Sequence, residues 1–418
     1  MLKKIILLSV IASSFIFSSC SKNSDSNNQA DSNSNDESYS IWIPGDENEY
    51  QFYFDMFENY KLHKEQSGKK FEYSIEQQPW SDYWTKLPLE INEGRGPDMY
   101  LAHDAYMDVL LPISKELDLD ESILKELRVK GIYVGENGKD KFVPTLLSSY
   151  IMFANKELTG LTDSYPTTWT ELEQQAKDDM AKNSGVIGFD YNFNTVCDIT
   201  YRDGMPLTQD GKVVFHKEQL EKVLGWEKEG ISNYLLYGNG SPEEAFNQNS
   251  TAFMHGATWM EFWAPEDMKD KMLAFPVPDG ENDSDIVYTN AEPTFGINKN
   301  VSDEKYAVLN DFIKFMLTDE DTLLQIVKGN SGIPNNQSIE VTYEPFTAGD
   351  AVLKTFENRK IAYTVMPRDL EKIYKDNLEK ALSGEDLQSI IDNSYIESEN
   401  VAVDRLSKME EAFRDSFK

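Results

Sequence analysis

The side chains best suited to chemistry in this sequence are aromatic rings that stand close to carboxylates. Two such groups follow short apolar runs near the start of the chain, Trp42 with Asp46, and Trp80 with Asp82 and Tyr83. A flat aromatic face can cover the apolar C–H surface of a sugar ring, and a carboxylate accepts hydrogen bonds from hydroxyl groups. These groups therefore predict binding of a molecule that has both apolar faces and hydroxyls. Core packing is the competing explanation for the rings, and helix capping is the competing explanation for Asp46.

Signatures of catalysis are missing from the sequence. It contains no P-loop, no Gly-rich dinucleotide fingerprint, no H-E-x-x-H, no paired C-x-x-C and no G-x-S-x-G. The four histidines, at positions 63, 103, 216 and 255, are scattered and form no i,i+4 pair that could hold a metal. A pair of glycosidase carboxylates could still be present, because such pairs have no fixed spacing. The sequence therefore favours binding over catalysis and indicates no cofactor.

The N-terminus has the pattern of an export signal. Lys3 and Lys4 precede an apolar run at residues 5–17, and small residues then lead to Cys20. The run is shorter than the about 20 apolar residues that span a bilayer, so residues 1–19 are predicted to be a signal peptide. The cysteine resembles that of a bacterial lipobox, whose thiol is acylated, and Cys20 is predicted to carry lipid. An ordinary cleaved signal with an incidental cysteine is the alternative.

The segment after Cys20 differs sharply in composition from the rest of the chain. Residues 21–38 are almost entirely Ser, Asn, Asp, Lys and Gln. Such a segment cannot bury enough apolar surface to offset its chain entropy. We therefore predict that residues 20–38 form a lipid-anchored, disordered tether that holds an extracytoplasmic body at the membrane.

Charge and cysteine content exclude further classes of protein. The formal net charge is −33, which repels phosphate backbones and argues against nucleic acid as a partner. After the anchor cysteine only Cys197 remains, so the mature chain can form no intrachain disulfide. Cys197 is expected to be a small buried hydrophobe.

The elements that must position these residues alternate between strand and helix. Apolar patterns predict strands at residues 40–43, 71–75 and 98–101, with a helix after Asp46 and another from Ser81. This β-α-β-α-β order predicts a parallel, doubly wound α/β sheet with right-handed crossovers. Ligands of such sheets bind where loops leave the carboxyl ends of the strands.

Later segments carry helix signals that we interpret as structural. Thr168 with Glu171 three residues on has the spacing of a capping box. Pro242 suits the first position of a helix. Apolar residues recur at helical spacing over residues 308–316 and predict a buried helix face.

Several short segments follow one another in a fixed series along the chain. They are Gly-Asp at 45–46, Gly-Lys-Lys-Phe at 68–71, Trp-Ser-Asp-Tyr-Trp-Thr-Lys-Leu at 80–87, Gly-Pro-Asp-Met-Tyr-Leu-Ala-His-Asp at 96–104, Phe-Ala-Asn-Lys-Glu-Leu at 153–158, Pro-Thr-Thr-Trp-Thr-Glu-Leu at 166–172, Ala-Phe at 245–246, Ala-Phe-Met-His-Gly at 252–256 with Trp259, Phe-Pro-Val-Pro-Asp-Gly at 275–280, Phe-Ile-Lys-Phe-Met-Leu-Thr-Asp-Glu at 312–320 and Gly-Ile-Pro at 332–334. The series resembles the family 1 extracellular solute-binding proteins of bacterial ABC importers, over residues 39–337 and more loosely beyond.

The resemblance implies a periplasmic-binding-protein fold. Two lobes, each a doubly wound, mostly parallel sheet flanked by helices, would enclose a ligand cleft and close on the ligand about hinges. The N-terminal lobe is expected at residues 39–147 plus 292–320, and the C-terminal lobe at 148–291 plus 321–418. Chain crossovers are expected near residues 145–150, 289–292 and 317–324. The implied partners are a carbohydrate and the transmembrane subunits of an ABC permease, and a monomer is expected.

The resemblance also places ligand-binding residues at several positions. Asp104 ends an Ala-His-Asp run whose aspartate contacts sugar in the family. Trp259 or Trp263 stands where the family has a stacking tryptophan, and Glu292 lies at a crossover, an unusual place for a charge unless it meets ligand or solvent. The full predicted set is Trp42, Asp46, Trp80, Asp82, Tyr83, Asp104, Trp259, Trp263 and Glu292.

Alternatives remain open at the level of the sequence. The leading expectation is a lipid-anchored receptor that delivers a mono- or oligosaccharide to an importer. The same transport role with a non-sugar ligand, such as a polyamine, is the second reading, and a surface glycosidase is the third. Tyr150, Tyr237 and Arg368 are secondary ligand candidates for which a structural role is the favoured interpretation, and Met205 and His255 are interpreted as core or edge residues.

Overall fold

The computed structural model describes most of the chain after its first 37 residues. The described residues are 38–45, 47–205, 207–209, 212–234, 242–280, 286–330, 332–343, 347–357, 360–363 and 368–398. The predictions for the signal peptide, for Cys20 and its tether up to residue 37, for Asp46 and for Tyr237 lie outside these residues.

The first part of the chain has the predicted alternation of strand and helix. Its elements are β1 (Ser38–Pro44), α1 (Glu47–Gln66), β2 (Glu72–Gln78), α2 (Trp80–Asn92), β3 (Met99–Leu101), α3 (Met107–Leu110), α4 (Glu121–Glu126), β4 (Tyr133–Val134) and β5 (Asp140–Phe142). Strand β1 pairs in parallel with both β2 and β3, so that Ile41 lies opposite Ile75 on one side and Met99 on the other. The predicted parallel arrangement of these three strands is confirmed.

The middle of the chain builds a second sheet. Its elements are β6 (Pro144–Ser148), β7 (Tyr150–Asn155), α5 (Lys156–Thr159), α6 (Trp169–Lys182), β8 (Ile187–Tyr191), α7 (Phe193–Arg202), β9 (Thr208–Gln209), β10 (Lys212–Val213), α8 (Lys217–Glu229), β11 (Ser232–Tyr234), α9 (Pro242–Asn247), β12 (Thr251–Ala257), α10 (Met260–Trp263), α11 (Glu266–Lys269), β13 (Met272–Phe275) and β14 (Ile286–Pro293). Five strands are ordered β11-β8-β12-β7-β13. Strand β8 is parallel to β11 and β12, whereas β7 is antiparallel to β12 and β13, so this sheet is evenly mixed.

The last part of the chain returns to the first sheet and then adds helices. Its elements are β15 (Phe295–Ile297), α12 (Asp303–Thr318), α13 (Glu320–Asn330), β16 (Ile333–Pro334), α14 (Ala348–Phe356), β17 (Lys360–Tyr363), α15 (Arg368–Leu382) and α16 (Leu387–Glu397). Strand β15 joins the first sheet antiparallel to β3 and gives the order β15-β3-β1-β2. A third sheet, ordered β16-β6-β14-β17, contains the strands that lead from one large sheet to the other. The crossover predicted near residues 145–150 includes the end of β6, the one near 289–292 lies within β14, and the one near 317–324 lies where α12 ends and α13 begins. The hinges and the lobe boundaries stay predictions.

Both faces of the first sheet are covered. Ile41 and Ile43 of β1 pack with α1 and α12, where the rings of Phe57 and Phe312 stack with centroids 4.5 Å apart. Trp42, between the two isoleucines, belongs to a separate cluster on the other face. A strand buried on both faces reads as a continuous apolar run, which is the pattern of a parallel sheet. Helices therefore cover both faces of the sheet, and a ligand can reach it only at the edge where the strands have their carboxyl ends.

The second sheet is covered in the same way. Met152 and Ala154 of β7 face one cluster, while Ile151 and Phe153 face another. Cys197 on α7 is buried in the first of these clusters and is a free thiol, as expected from the sequence. None of the described helices is long and apolar enough to cross a bilayer.

Local signals located several helix ends correctly. The Thr168 hydroxyl accepts a hydrogen bond from the Glu171 amide, and the Glu171 carboxylate accepts one back from the Thr168 amide. The predicted capping box is therefore confirmed at the start of α6. Helix α9 begins at Pro242, as the sequence indicates. Helix α12 buries Leu309, Phe312 and other members of the apolar face predicted for residues 308–316.

Candidate ligand-binding site

A cavity of about 330 Å³ lies at the carboxyl edge of the first sheet. This volume is at the lower end of the about 300–1,000 Å³ typical of small-molecule pockets. The wall contains residues that follow strands of both large sheets, together with residues of α1, β6 and α13. The lining residues are Phe52, Tyr53, Met56, Trp80, Leu101, Ala102, His103, Thr145, Leu146, Trp259, Trp263, Glu292, Thr294, Ile326, Gly329 and Asn330.

Trp80, Ala102 and His103 form what we call the first wall. They stand directly after β2 and β3, where a parallel sheet presents its carboxyl ends. The indole of Trp80 is 40% exposed, and its ring lies 5.5 Å from that of Trp84. The His103 ring meets the Trp80 ring edge to face at 6.3 Å. The first wall is thus an aromatic surface that solvent can reach.

His103 is the titratable group of the first wall. Its Nδ1 lies 2.9 Å from Oδ1 of Asp104, whose side chain is only 1% exposed. Partial burial lowers the pKa of the imidazole, but the carboxylates of Asp104, Glu292 and Glu371 outweigh that effect and raise the pKa above its ordinary value. Negative charge therefore dominates the field at this wall.

Trp259 and Trp263 form what we call the second wall. Trp259 precedes the short helix α10, which follows β12, and Trp263 is the last residue of that helix. The ring of Trp263 packs edge to face on Phe52 of α1 at 6.2 Å and on Phe262 at 4.8 Å. Phe52 also lies so close to Gly329 of α13 that any side chain there would clash with its ring. Aromatic contacts therefore join α10 to α1 across the cavity.

Glu292 provides the carboxylate that lines the cavity. It lies on β14 opposite Leu146 of β6, and its Oε1 accepts a hydrogen bond of 2.7 Å from the Ser148 hydroxyl. The hydroxyls of Thr145 and Thr294 also hydrogen-bond to each other between β6 and the start of β15. Polar groups at this end of the cavity thus belong to the strands that connect the two large sheets.

Four residues of the predicted set lie at the cavity, and four lie elsewhere. Trp80, Trp259, Trp263 and Glu292 line it. The other described members are Trp42, Asp82, Tyr83 and Asp104, which are absent from the lining. Asp46, the remaining member, lies outside the described residues.

Packing explains the aromatic residues that lie away from the cavity. The Trp42 indole is 8% exposed, and its Nε1 donates to the Glu76 carboxylate at 3.0 Å. Tyr83 is fully buried, with its hydroxyl 3.0 Å from the Trp42 carbonyl and 2.9 Å from the Leu101 carbonyl. The structure therefore places Trp42 and Tyr83 in the core beneath the first wall.

The two aspartates away from the cavity differ from each other. Asp82 is exposed on α2 and accepts a hydrogen bond of 3.0 Å from the Ser81 hydroxyl. Asp104 is buried next to the first wall, where its Oδ1 accepts 2.8 Å from the Ala105 amide. Its Oδ2 is buried with no hydrogen-bond partner among the described residues. Asp104 is thus placed to support His103, and direct contact with a ligand stays a prediction.

Some residues that line the cavity could not be recognised from the sequence. Phe52 lies on α1 beside aromatic residues that follow the helical spacing, and it breaks that spacing. Asn330 ends α13, and its carbonyl accepts a hydrogen bond from the Thr258 hydroxyl. The only sequence signal for these two residues is the position of Phe52 outside the helical spacing of its aromatic neighbours. Among the described residues there is no group of three or more His, Cys, Asp and Glu that could hold a metal ion.

The fold and cavity define a two-lobed α/β protein that resembles the maltose-binding proteins. The family model described as bacterial extracellular solute-binding protein matches residues 54–352. The chain therefore belongs to this family of solute-binding proteins. A search of the curated proteins gives no significant match.

Several solved structures have the same fold, and the match to this chain extends over nearly the whole length of each. The GacH receptor of Streptomyces glaucescens, solved without ligand and with acarbose, is 17% identical, with a TM-score of 0.67, 91% of this chain covered and 98% of that one. The maltose-bound MalE3 of T. maritima is 18% identical, with a TM-score of 0.70, covering 87% and 100%. An ABC substrate-binding protein of Listeria monocytogenes in complex with cycloalternan is 17% identical, with a TM-score of 0.67, covering 86% and 97%. These likenesses establish the fold.

Proposed function

We propose that this protein is the extracytoplasmic, lipid-anchored substrate-binding component of an ABC importer. It captures a mono- or oligosaccharide between its lobes and delivers it to the permease, without a catalytic step. One observation supports the ligand class above all others: Trp80, Trp259 and Trp263 surround a cavity that also contains the Glu292 carboxylate. Indole faces suit the apolar faces of pyranoses, and the carboxylate and the Asn330 amide suit hydroxyls.

The comparisons support a carbohydrate in a second way. The solved structures of this fold from Streptomyces glaucescens, T. maritima and Listeria monocytogenes were obtained with acarbose, maltose and cycloalternan, respectively. Three different carbohydrates thus occupy proteins of one architecture. We extend that ligand class to this chain, and the walls of its own cavity supply the chemical reason.

Delivery depends on closure of the lobes around the ligand. The proposed lobes are residues 39–147 plus 292–320 and residues 148–291 plus 321–418, with hinges near 145–150, 289–292 and 317–324. A ligand that touches residues of both lobes favours the closed state by its differential affinity. Saturating ligand should therefore reduce the radius of gyration measured by solution X-ray scattering. An unchanged scattering curve would argue for a rigid pocket.

The anchor is a separate part of the proposal. Acylated Cys20 and the polar segment up to residue 38 would hold a monomeric body at the membrane surface. The Cys20→Ser variant should lose the acyl group and leave the membrane fraction. One acyl chain gives only marginal binding, so firm retention of the wild type implies more than one chain. A variant that stays membrane-bound, with no acyl group on the wild type, would refute the lipobox reading.

A cationic ligand such as a polyamine is the second candidate. Among the described residues that line the cavity there is a carboxylate and no lysine or arginine. Aromatic faces and carboxylates also bind ammonium groups. The transport role would be the same, and only the bound solute would differ.

A thermal-shift panel distinguishes these candidates. Malto-oligosaccharides, other neutral sugars and polyamines are added separately, because a ligand that binds the native state raises Tm by mass action. A shift with neutral sugars alone supports the leading proposal, and a shift with polyamines alone supports the second. Incubation with the same oligosaccharides, followed by product analysis, tests the absence of catalysis, since a glycosidase would shorten them.

A further inference from the structure

A histidine and an aspartate form a fully buried pair next to the second wall. His255 lies on β12 and Asp198 on α7, with Nε2 of the imidazole 2.7 Å from Oδ2 of the carboxylate. Their side chains are 0% and 1% exposed. Burial raises the pKa of Asp198, and the hydrogen bond from His255 opposes that rise. The other imidazole nitrogen, Nδ1, is buried without a hydrogen-bond partner among the described residues.

Tyr150 lies flat on this pair. Its ring and the His255 ring are 5.3 Å apart and nearly parallel, at 9°. The pairing of β7 with β12 sets this arrangement, because Met152 is opposite His255 and Tyr150 is opposite Ala257. Tyr150 and His255 are therefore diagonal neighbours on one face of the sheet, where side chains touch.

Tyr150 also touches the second wall. Its ring meets that of Trp259 at 6.4 Å and 65°, an edge-to-face contact. Trp259 stands two residues after Ala257, the last residue of β12, and is itself only half-buried. Contacts therefore run without a break from Asp198 through His255 and Tyr150 to a ring that lines the cavity. We call Asp198, His255 and Tyr150 the support stack.

We propose that the support stack positions Trp259 for the ligand, with Asp198 and His255 acting through Tyr150. The role of Trp259 in ligand contact rests on the proposed function above, whereas the order of its indole in the free protein does not. The support residues are positioning residues and need not touch the ligand themselves.

Two physical arguments favour positioning over a contribution to stability alone. First, burial of two polar side chains has a desolvation cost that their mutual hydrogen bond must offset, so net stability is a poor reason for this pair. Second, an indole without this support would be free to change rotamer in the unbound protein. It would lose that freedom when the ligand binds, and the entropy loss would lower the affinity. A hydrogen-bonded imidazole has a fixed plane and gives Tyr150 a fixed surface.

The test follows Trp259 in the free protein by fluorine NMR. The chain contains seven tryptophans, and labelling them with 5-fluorotryptophan gives one resonance each. A Trp259→Phe variant assigns the resonance of interest. Asp198→Asn keeps the size of the side chain but removes its charge, and it should shift or broaden the Trp259 resonance while leaving those of Trp42 and Trp169 in the two cores unchanged.

Asp190→Asn is the matched control. Asp190 is also fully buried in the second sheet, where its carboxylate accepts a hydrogen bond of 2.8 Å from the Thr251 hydroxyl. Its substitution should lower Tm without moving the Trp259 resonance. An equal response of that resonance to both variants would show general loosening and overturn the proposal.

A second variant decides the matter if Asp198→Asn does not fold. Tyr150→Leu leaves the buried pair in place but removes the ring between it and Trp259. It should alter the Trp259 resonance. Where Asp198→Asn folds, its addition to Tyr150→Leu should cause no further change in that resonance. An unaltered Trp259 resonance in Tyr150→Leu would overturn the proposal.

Binding of maltotriose separates this inference from the proposed function. If the support stack acts through Trp259, Asp198→Asn weakens binding by about three- to tenfold in the wild type and has no effect in Trp259→Ala. Additive losses in the two variants would overturn the inference. Absence of maltotriose binding to the wild type would exclude maltotriose as the carbohydrate ligand, while the resonance of Trp259 would still decide the role of the support stack.

Discussion

The two walls of the cavity are built in different ways. Trp80 and His103 of the first wall each stand two residues after the end of a strand, and their rings contact that of Trp84. The second wall depends on residues far away in the chain, since Trp263 packs on Phe52 and Trp259 contacts Tyr150. Local sequence therefore positions one wall, and tertiary contacts position the other. We expect changes far from the cavity to reach the ligand mainly through the second wall.

The largest expected effect is that of Trp259→Ala on affinity. The half-buried indole loses both a stacking face and apolar area in the complex, which should cost about 1–3 kcal/mol, or roughly 5- to 150-fold in Kd. Isothermal titration with the sugar that gives the largest thermal shift measures the change. Unfolding should remain cooperative, because Trp259 belongs to neither core.

Trp80→Ala is the matching substitution in the first wall. Its indole is already 40% exposed, so its loss should cost less than about 1 kcal/mol. A larger effect of Trp80→Ala than of Trp259→Ala would reverse the comparison and make the first wall the main platform for the ligand.

An effect between those of Trp259→Ala and Trp80→Ala is expected from the charge between the walls. Glu292→Gln keeps the shape of the side chain and replaces a charge-assisted hydrogen bond by a neutral one, at a cost of about 1 kcal/mol, or roughly fivefold in Kd, for a neutral sugar. Ser148 can still donate to the amide oxygen. Titration of a sugar and of a polyamine compares the two ligand classes. A loss for the polyamine alone would favour the second candidate function.

The parallel part of the fold could be predicted from the sequence because its signals are local. The run at Ile41–Trp42–Ile43 is apolar on both faces, which is typical of a central parallel strand, and the capping box at Thr168 marks the start of a helix. Strand pairing in the second sheet was harder to predict from the sequence. The antiparallel position of β7 is fixed by contacts with β12 and β13, which come much later in the chain.

The site could be predicted only in part, for the same reason. Trp80 and Glu292 stand near strand ends or crossovers, which the order of elements reveals. The sequence could not distinguish Trp42 and Tyr83, which fill the core, from rings that line the cavity, because residue type is the same in both places. Nor could it show that His255 meets Asp198, since neither spacing nor residue type encodes that contact.

A smaller effect, on stability, is expected from the pair formed by His103 of the first wall and the neighbouring Asp104. Asp104 raises the pKa of His103, so the folded state binds the proton more tightly than the unfolded state does. The resulting stabilisation is complete below the unfolded pKa, near about 6.5, and disappears as pH rises through the raised pKa of the folded state. Asp104→Asn should therefore lower Tm more at about pH 5.5 than at about pH 9.

NMR titration of the four histidines provides the direct measurement. The pKa of His103 should fall in Asp104→Asn, because the neighbouring carboxylate that raises it is removed. If the pKa of His103 is the same in the wild type and in Asp104→Asn, Asp104 does not contribute to the electrostatic field at the first wall. A loss of Tm that is equal at both pH values would show the same.

The smallest effect on affinity should come from Thr168→Ala, which tests how far the coupling of the second wall extends. The hydroxyl caps α6 in the second sheet's lobe, and its loss should cost about 0.5–2 kcal/mol of unfolding free energy. Affinity should stay within about twofold, because α6 and its cap lie outside the lining of the cavity. Denaturant titration and calorimetry measure the two quantities, and Thr168→Ser, which keeps a hydroxyl, should restore most of the stability. A clear loss of affinity in Thr168→Ala, with none in Thr168→Ser, would mean that the second wall responds to the stability of its whole lobe and not to the support stack alone.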